Sequence, residues 1–114
     1  MRLDTGLGAE RINCIVALNN ARAVLSGTTS PIGVLTNAFE GFDESTMTPI
    51  PDSCEVITSG VCSVKTSSCV AGDWFASDAS GQAVKVETGF ALGRILADPV
   101  DSVALCVITP VYLA

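Results

Sequence analysis

Apolar and polar residues alternate in short runs along most of the chain, and turn residues separate these runs. The rhythm is clearest over residues 60–101, where Gly, Asp and Pro interrupt the runs at residues 72–73, 78–81 and 98–99. Alternation with a period of two places successive side chains on opposite faces of a strand, and Gly and Asp are typical of chain reversals. No window of about ten residues shows helical periodicity, so the pattern predicts an all-β protein.

The spacing of the runs predicts one small domain, a β-barrel or sandwich of about seven to nine short strands. Residues 1–10 are glycine-rich and without periodicity, and we expect them to form an extended N-terminal arm on a barrel domain that covers residues 11–114. The run over residues 103–108 is apolar on both faces. Such a run indicates either a central strand covered on both sides or a strand that lies in an interface.

Residues 40–53 (EGFDESTMTPIPDS) are predicted to be an irregular loop within this domain, because two prolines exclude a regular ladder. The acidic residues keep the segment in water, yet it also carries Phe42, Met47 and Ile50. A loop of this length without structure of its own is usually functional or disordered. We therefore expect its apolar side chains to contact a partner, together with Leu3 and Leu7 of the arm.

Trp74 and Phe75 occupy consecutive strand positions, so their rings point to opposite faces. Either one ring enters the core and the other serves as an interface anchor, or the loops of a closed barrel cover both. Trp74 completes the predicted interface set. Its members are Leu3, Leu7, Phe42, Met47, Ile50 and Trp74.

Glycine marks a further pattern. Gly33, within the predicted strand that follows the loop over residues 26–31, permits a bulge or a close backbone approach. Residues 31–35 (PIGVL) resemble residues 91–96 (ALGRIL), since each has an apolar-Gly step before a strand-like run. The match is too short to establish a duplication, and its period is too long for a solenoid.

Charge and composition exclude several partners. The net charge is −6, and the six basic residues are scattered, so there is no basic stripe to neutralise phosphates and we expect no nucleic-acid partner. The longest apolar run is too short to span a bilayer, and the N-terminal residues lack a signal-peptide pattern, which predicts no membrane partner and synthesis in a cytoplasm. Apolar residues make up 48% of the chain and charged residues 16%, which favours burial against other subunits.

Residues that could carry chemistry are scarce. The chain has no histidine, which excludes a Ser-His-Asp or Cys-His arrangement, and no glycine-rich phosphate loop. Five cysteines are an odd number for a disulfide framework, and their spacing fits no structural zinc pattern. We expect reduced thiols, with Cys14, Cys62 and Cys106 in the core, and we predict neither an enzyme nor a cofactor nor a metal site.

Five segments together resemble one known family. They are GVCSVK (60–65), AGDWF (71–75), SDASGQAVK (77–85), LGRIL (92–96) and VALCV (103–107). Their succession is similar to that of small capsid cement (decoration) proteins of tailed bacteriophages, a family formerly catalogued as a domain of unknown function. The likeness covers residues 54–109, about half of the chain, while the cysteines and residues 40–53 depart from it.

The resemblance implies a β-rich barrel that binds the outside of an assembled capsid as a structural virion protein. The implied partners are the major capsid protein lattice and further copies of the chain, in a trimer or dimer. The alternative from another class is an intracellular β-barrel module that binds a small ligand or carbohydrate. An enclosed pocket with converging polar groups would favour that alternative, and a flat apolar surface would favour the capsid protein. An enzyme fragment is a third interpretation, and the lack of histidine argues against it.

Overall fold

The computed structural model describes residues 1–26 and 31–114 and confirms the all-β prediction. Within these residues there are ten strands and one turn of 3-10 helix (Ala9–Arg11). The strands are β1 (Arg2–Thr5), β2 (Ile15–Asn19), β3 (Arg22–Leu25), β4 (Pro31–Asp43), β5 (Thr48–Ile57), β6 (Gly60–Lys65), β7 (Trp74–Ser77), β8 (Ala83–Lys85), β9 (Gly89–Ile95) and β10 (Val103–Leu113). The loop predicted over residues 26–31 lies mostly outside the described residues.

The first unit, formed by β1–β5, is a closed barrel in the order β1-β3-β2-β4-β5. Adjacent strands are antiparallel except β1 and β3, whose parallel pairing joins Asp4 to Arg22 and Thr5 to Ala23. The turn between β2 and β3 has positive φ at Asn20 and Ala21. Asparagine tolerates that conformation better than most residues, as the predicted turn at this point requires.

The predicted N-terminal arm is wrong for residues 2–5, because they form β1 and close the barrel. Leu3 pairs with Cys54 of β5, and the N-terminal ammonium group of Met1 donates a hydrogen bond to the Val56 carbonyl at 2.9 Å. The burial of this segment alternates, with Arg2 and Asp4 exposed, Leu3 partly buried and Thr5 buried, but Leu3 is its one aliphatic residue, so the sequence shows little hydrophobic periodicity here. The segment is held by backbone pairing, which hydrophobic periodicity does not report.

The predicted irregular loop over residues 40–53 is also wrong, because β4 and β5 continue as a regular hairpin around a turn at residues 44–47. Pro49 and Pro51 pair with Phe42 and Glu40. On its other side β5 pairs with β1 only from Ser53 onward. The prolines therefore occupy an edge strand, where a missing N–H removes no ladder hydrogen bond.

The second unit, formed by β6–β10, is a sheet in the order β6-β10-β9-β7-β8. Its two edge strands meet at a single parallel bridge between Thr66 and Ala83. β10 is a central strand between β6 and β9, in agreement with its two-sided apolar sequence. The turn between β7 and β8 ends at Gly81, which has the predicted left-handed conformation with φ of 77°.

The two units have the same topology. β1–β5 of the first correspond in order to β6–β10 of the second, and each pairing keeps its parallel or antiparallel sense. We call two positions equivalent when they occupy the same place in corresponding strand pairs. Ile15, paired with Val34, is then equivalent to Trp74, paired with Arg94. Val34 pairs with Ile57 as Arg94 pairs with Val107.

Individual hydrogen bonds repeat between the units. The Thr5 hydroxyl donates to the Ala23 carbonyl at 2.8 Å, and the Thr66 hydroxyl donates to the Ala83 carbonyl at 2.9 Å. Both threonines are fully buried, so each hydroxyl needs a hydrogen-bond partner within the protein, and each finds it across the parallel strand pair.

The backbone repeats as well. The Leu35 amide donates to the Cys14 carbonyl at 3.0 Å, and the Ile95 amide donates to the Asp73 carbonyl at 2.8 Å. The short echo in the sequence therefore marks a repeat of the whole five-stranded topology.

Two hydrophobic clusters fill the molecule. The first unit encloses its own cluster, which is formed by Val16, Ala23, Leu35, Cys54 and Val56. The second unit's cluster includes Ile15 and Val34 of the first unit, both completely buried, with Ile57 packed against it. Alternate residues of β2 and β4 thus enter different cores, so Ile15 and Val16 are both buried. The first unit's outer face completes the core of the second.

Gly33 and Gly93 are equivalent, and we predict equal sensitivity to substitution at both. A Cβ at Gly33 would clash with the Ile57 carbonyl oxygen, and one at Gly93 with the Val107 carbonyl oxygen. Gly33→Ala and Gly93→Ala should each lower the free energy of unfolding by about 1–3 kcal/mol, the usual cost of overpacking. Urea unfolding of the purified variants measures this change.

Gly41→Ala is the matched control, since a Cβ there would meet the Asp52 side chain at an ordinary 3.4 Å. It should leave the unfolding midpoint nearly unchanged. Wild-type stability in Gly33→Ala or Gly93→Ala would contradict the close backbone approach.

Candidate interaction surfaces

The free end of the β4–β5 hairpin, residues 40–52, carries three of the predicted interface residues. Phe42 is 55% exposed, Met47 72% and Ile50 43%. Phe42 pairs with Pro49 and Gly41 pairs with Ile50, so Phe42 and Ile50 lie on opposite faces of the hairpin. Each face of this end therefore presents apolar area to solvent.

The hairpin end is acidic and locally ordered. Residues 40–53 contain four acids and no base. The Asp43 carboxylate accepts hydrogen bonds from the Ser45 hydroxyl at 2.7 Å and the Ser45 amide at 2.9 Å. These bonds hold the pKa of Asp43 below its ordinary value. The carboxylate therefore stays ionised at neutral pH and fixes the turn at the tip.

Arg2 fastens the base of the hairpin to β1. Its guanidinium lies 4.3 Å from the centroid of the Phe39 ring, and its Nε donates to the Ser53 hydroxyl at 3.1 Å. A cation over an aromatic ring and a hydrogen bond together restrict how the two strands leave the barrel. The hairpin end is thus presented from an ordered base.

Two predicted interface residues belong to the core of the first unit instead. Leu3 and Leu7 are partly buried and pack against the cluster of Val16, Ala23 and Leu35. The Leu7 amide donates to the Thr5 hydroxyl at 3.0 Å, which turns the chain inward after β1. The structure places neither leucine beside the hairpin end, because β1 is part of the barrel wall.

Trp74 lies on the outer face of the second unit and is partly buried, whereas Phe75 is completely buried in the core. Phe75 is therefore the core ring of the first alternative, and the role of Trp74 as an interface anchor stays a prediction. Trp74, Arg94, Val107 and Val61 follow one another directly across β7, β9, β10 and β6. Arg94 lies over the indole at 5.5 Å from its centroid and donates from Nε to the Gly72 carbonyl at 3.0 Å.

The same outer face bears further apolar residues that sequence reasoning did not select. Val61 is 57% exposed and Leu105 45%. The signal for Leu105 was present in the sequence, since the run over residues 103–108 is apolar on both faces. At the far end of the sheet, the Phe90 and Tyr112 rings meet edge to face at 5.5 Å, with Tyr112 largely exposed.

A cavity of about 410 Å³ opens on the first unit beside the β2–β3 turn. It is lined by Gly6, Leu7, Asn19, Asn20, Arg22, Ala23 and Val24. Asn19, Asn20 and Arg22 are exposed, so the cavity is open to solvent at its polar rim. Its floor is apolar.

All five cysteines are free thiols, and two of them are neighbours. Cys62 and Cys106 are paired across β6 and β10, with their Sγ atoms 3.7 Å apart. The hydrogen bond between them and burial raise the pKa of Cys106, while the same hydrogen bond lowers the pKa of Cys62. Burial raises the pKa of Cys54 and Cys69. Of this pair, Cys62 is therefore the thiol that ionises first.

The described residues hold no group of three or more His, Cys, Asp or Glu side chains suited to a metal ion. Within the same residues, no helix has the length and apolar character needed to cross a membrane.

We predict that mild oxidation joins Cys62 to Cys106. Diamide should convert the two thiols to one intramolecular disulfide, because the thiolate forms first on Cys62 and its partner lies across the strand pair. Peptide mapping under non-reducing conditions identifies the bond. The closed loop should raise the free energy of unfolding by about 2–4 kcal/mol.

Cys62→Ser should abolish this product, whereas Cys54→Ser should leave it intact. A disulfide that involves Cys14, Cys54 or Cys69 in place of this pair would show that the strand register is different.

Comparisons with known proteins give no match: no family model, curated protein or solved structure is similar enough to the chain to indicate a family.

Proposed function

We propose that the chain is a bacteriophage capsid cement (decoration) protein, a structural virion protein that binds the outer surface of an assembled capsid and holds neighbouring major capsid subunits together. The observation that carries the proposal is the hairpin end, where Phe42, Met47 and Ile50 are exposed on an ordered extension of the barrel. The resemblance of residues 54–109 to that family supports it independently.

The hairpin end has the composition of a binding element. Burial of a large apolar side chain is worth about 1.5–3 kcal/mol, and the two faces and the tip of the hairpin end carry three such side chains that neither core of the chain includes. Acids without bases surround them. The surface that receives the hairpin should therefore be an apolar recess with a cationic rim.

The shape of the protein suits contact with more than one subunit. Its longest dimension is 51 Å, against 29 and 22 Å for the others. Contacts that span several subunits exist only on the assembled lattice, and several weak contacts together give high avidity. A protein that binds the assembled state alone stabilises it by mass action. This role requires no catalytic group and no cofactor.

The net charge of −6 supports a position on the capsid exterior, because the interior faces the phosphates of packaged DNA. In this account the protein is made in the host cytoplasm and joins the particle as a homo-oligomer. The alternative, a module for a small ligand or carbohydrate, calls for an enclosed pocket with converging polar groups. The cavity beside the β2–β3 turn has an exposed rim and is therefore not an enclosed pocket. The exposed apolar surfaces favour the capsid protein over this alternative.

The proposal predicts that a polar hairpin end loses affinity for particles. In Phe42→Ser/Met47→Ser, the loss of two exposed apolar contacts should weaken binding to cement-free capsids by at least about tenfold, since anchor residues carry most of the binding energy. Thermal stability should stay close to that of the wild type, because both side chains face solvent. Co-sedimentation of the protein with capsids measures binding.

Val100→Ser is the matched control, since Val100 is 73% exposed but lies far along the chain from the hairpin. It should bind as the wild type does. Undiminished binding by the hairpin variant, or no binding of the wild type to any capsid that lacks its cement protein, would refute the proposal.

A further inference from the structure

The interface between the two units provides a template for a second contact. In the first unit, Ile15, Val34 and Ile57 form one row across β2, β4 and β5. We call this the inner row. Ile15 and Val34 are completely buried against the second unit, and the Ile15 amide donates to the Gly81 carbonyl at 2.6 Å. The inner row is thus an apolar face that already packs against a unit of this topology.

The equivalent row in the second unit has no such cover. Trp74, Arg94 and Val107 occupy the same places across β7, β9 and β10, and we call them the outer row. Arg94 is exposed, Trp74 and Val107 are partly exposed, and Val61 and Leu105 extend the apolar area. A position that is buried by its neighbour in one unit is therefore open in the other.

In the second unit, the surface around Gly81 receives the inner row. The equivalent surface of the first unit is exposed to solvent. Gly81 contacts the inner row, and its equivalent in the first unit is Ala21, which lies two residues before Ala23 as Gly81 lies two residues before Ala83, and has a similar positive φ of 63°. Asn20 and Arg22, which flank Ala21, line the open cavity of about 410 Å³. We call this region the Ala21 surface.

We propose that the outer row of one molecule docks on the Ala21 surface of a second copy, so that the chain associates head to tail. The contact repeats between molecules the arrangement that joins the two units within one molecule. Because the two surfaces are different, a pair of molecules still has one free outer row and one free Ala21 surface. Such heterologous contacts build rings or open chains.

The two units carry different residues at the equivalent positions, and these differences are compatible with the proposed contact. A Cβ at Gly81 would lie 2.9 Å from the Ile15 carbonyl oxygen, so the inner row approaches the turn backbone closely. Ala21 has a Cβ, which keeps an incoming strand farther away. The outer row has Trp74 where the inner row has Ile15, and the longer side chain spans the added distance and reaches the apolar floor of the cavity.

The contact should be weaker than the internal one. Within the molecule, the Lys65 amide donates to the Asn13 carbonyl at 2.8 Å and links the two units. The equivalent carbonyl, that of Gly72, already accepts a hydrogen bond from Arg94, and Asp4, the equivalent of Lys65, is paired with Arg22. Side chains alone then hold the copies together, and the association should be reversible and concentration-dependent.

The test uses the purified protein without capsids, so its result is separate from that of the proposed function. Sedimentation velocity over a range of concentrations should show wild-type species growing beyond the dimer. Trp74→Ala should raise the dissociation constant at least about tenfold, as expected for a buried aromatic anchor. Tyr112→Ala, which removes the most exposed ring outside the outer row, should leave association unchanged.

Mixing two variants tests the head-to-tail arrangement itself. Asn19→Arg places a larger, positively charged side chain beside Arg22 in the lining of the cavity, where it obstructs the incoming Trp74 side chain and adds to the repulsion of Arg94. Alone, this variant and Trp74→Ala should each associate at least about tenfold more weakly than the wild type. A mixture should form dimers and nothing larger, since each variant supplies the surface that the other lacks. Circular dichroism confirms that both variants are folded.

A wild-type protein that stays monomeric at millimolar concentration would overturn the proposal. Wild-type association of folded Trp74→Ala, or a mixture of the two variants that stays monomeric, would do so as well.

Discussion

Ile15 and Val34 lie on the outside of a closed barrel and are nevertheless completely buried, because the second unit covers them. Two large aliphatic side chains on the outer wall of a barrel would otherwise remain in water. Their burial against β6–β10 joins the two units into one body and supplies part of the second unit's core. The first unit encloses a core of its own, whereas the second depends on its neighbour.

This dependence gives the two units different surfaces from the same topology. The first unit buries its inner row and extends its β4–β5 hairpin into solvent. The second unit leaves its outer row open, and its edge strands meet at the single Thr66–Ala83 bridge. The candidate surface for a capsid is thus the hairpin end of the first unit, whereas the candidate contact between copies joins the outer row of the second unit to the Ala21 surface of the first.

Alternation of apolar and polar residues sufficed to predict the fold class, because most strands expose one face. Alternation did not predict the segments whose structure depends on backbone pairing or on the burial of both faces of a strand. Residues 2–5 are held in the barrel wall by main-chain hydrogen bonds, which leave no mark in side-chain periodicity. Residues 15–17 are all buried because both faces of β2 are covered, so an alternation of buried and exposed positions does not describe this strand. From the sequence, the two prolines were expected to exclude a strand ladder. They are nevertheless part of β5, because they lie where only one side of the strand is paired.

The predicted interface residues fall into an exposed group and a partly buried group. Phe42, Met47 and Ile50 are exposed, as their place among acids indicated, whereas Leu3 of β1 and Leu7, which follows β1, are partly buried and pack against the core of the first unit. The repeat of the topology was signalled only by the echo around Gly33 and Gly93. The equivalent positions otherwise carry different residues, because one row faces a neighbouring unit and the other faces solvent.

The dependence of the second unit on the first is tested most directly by native-state hydrogen exchange at a matched pair of amides. The Leu35 and Ile95 amides make equivalent backbone hydrogen bonds, to Cys14 and Asp73 respectively. If the first unit completes the second unit's core, any opening of the first unit also opens the second. The opening free energy at Ile95 should then equal or fall below that at Leu35. A larger opening free energy at Ile95 than at Leu35 would show that the second unit holds together without the first, and would contradict this account.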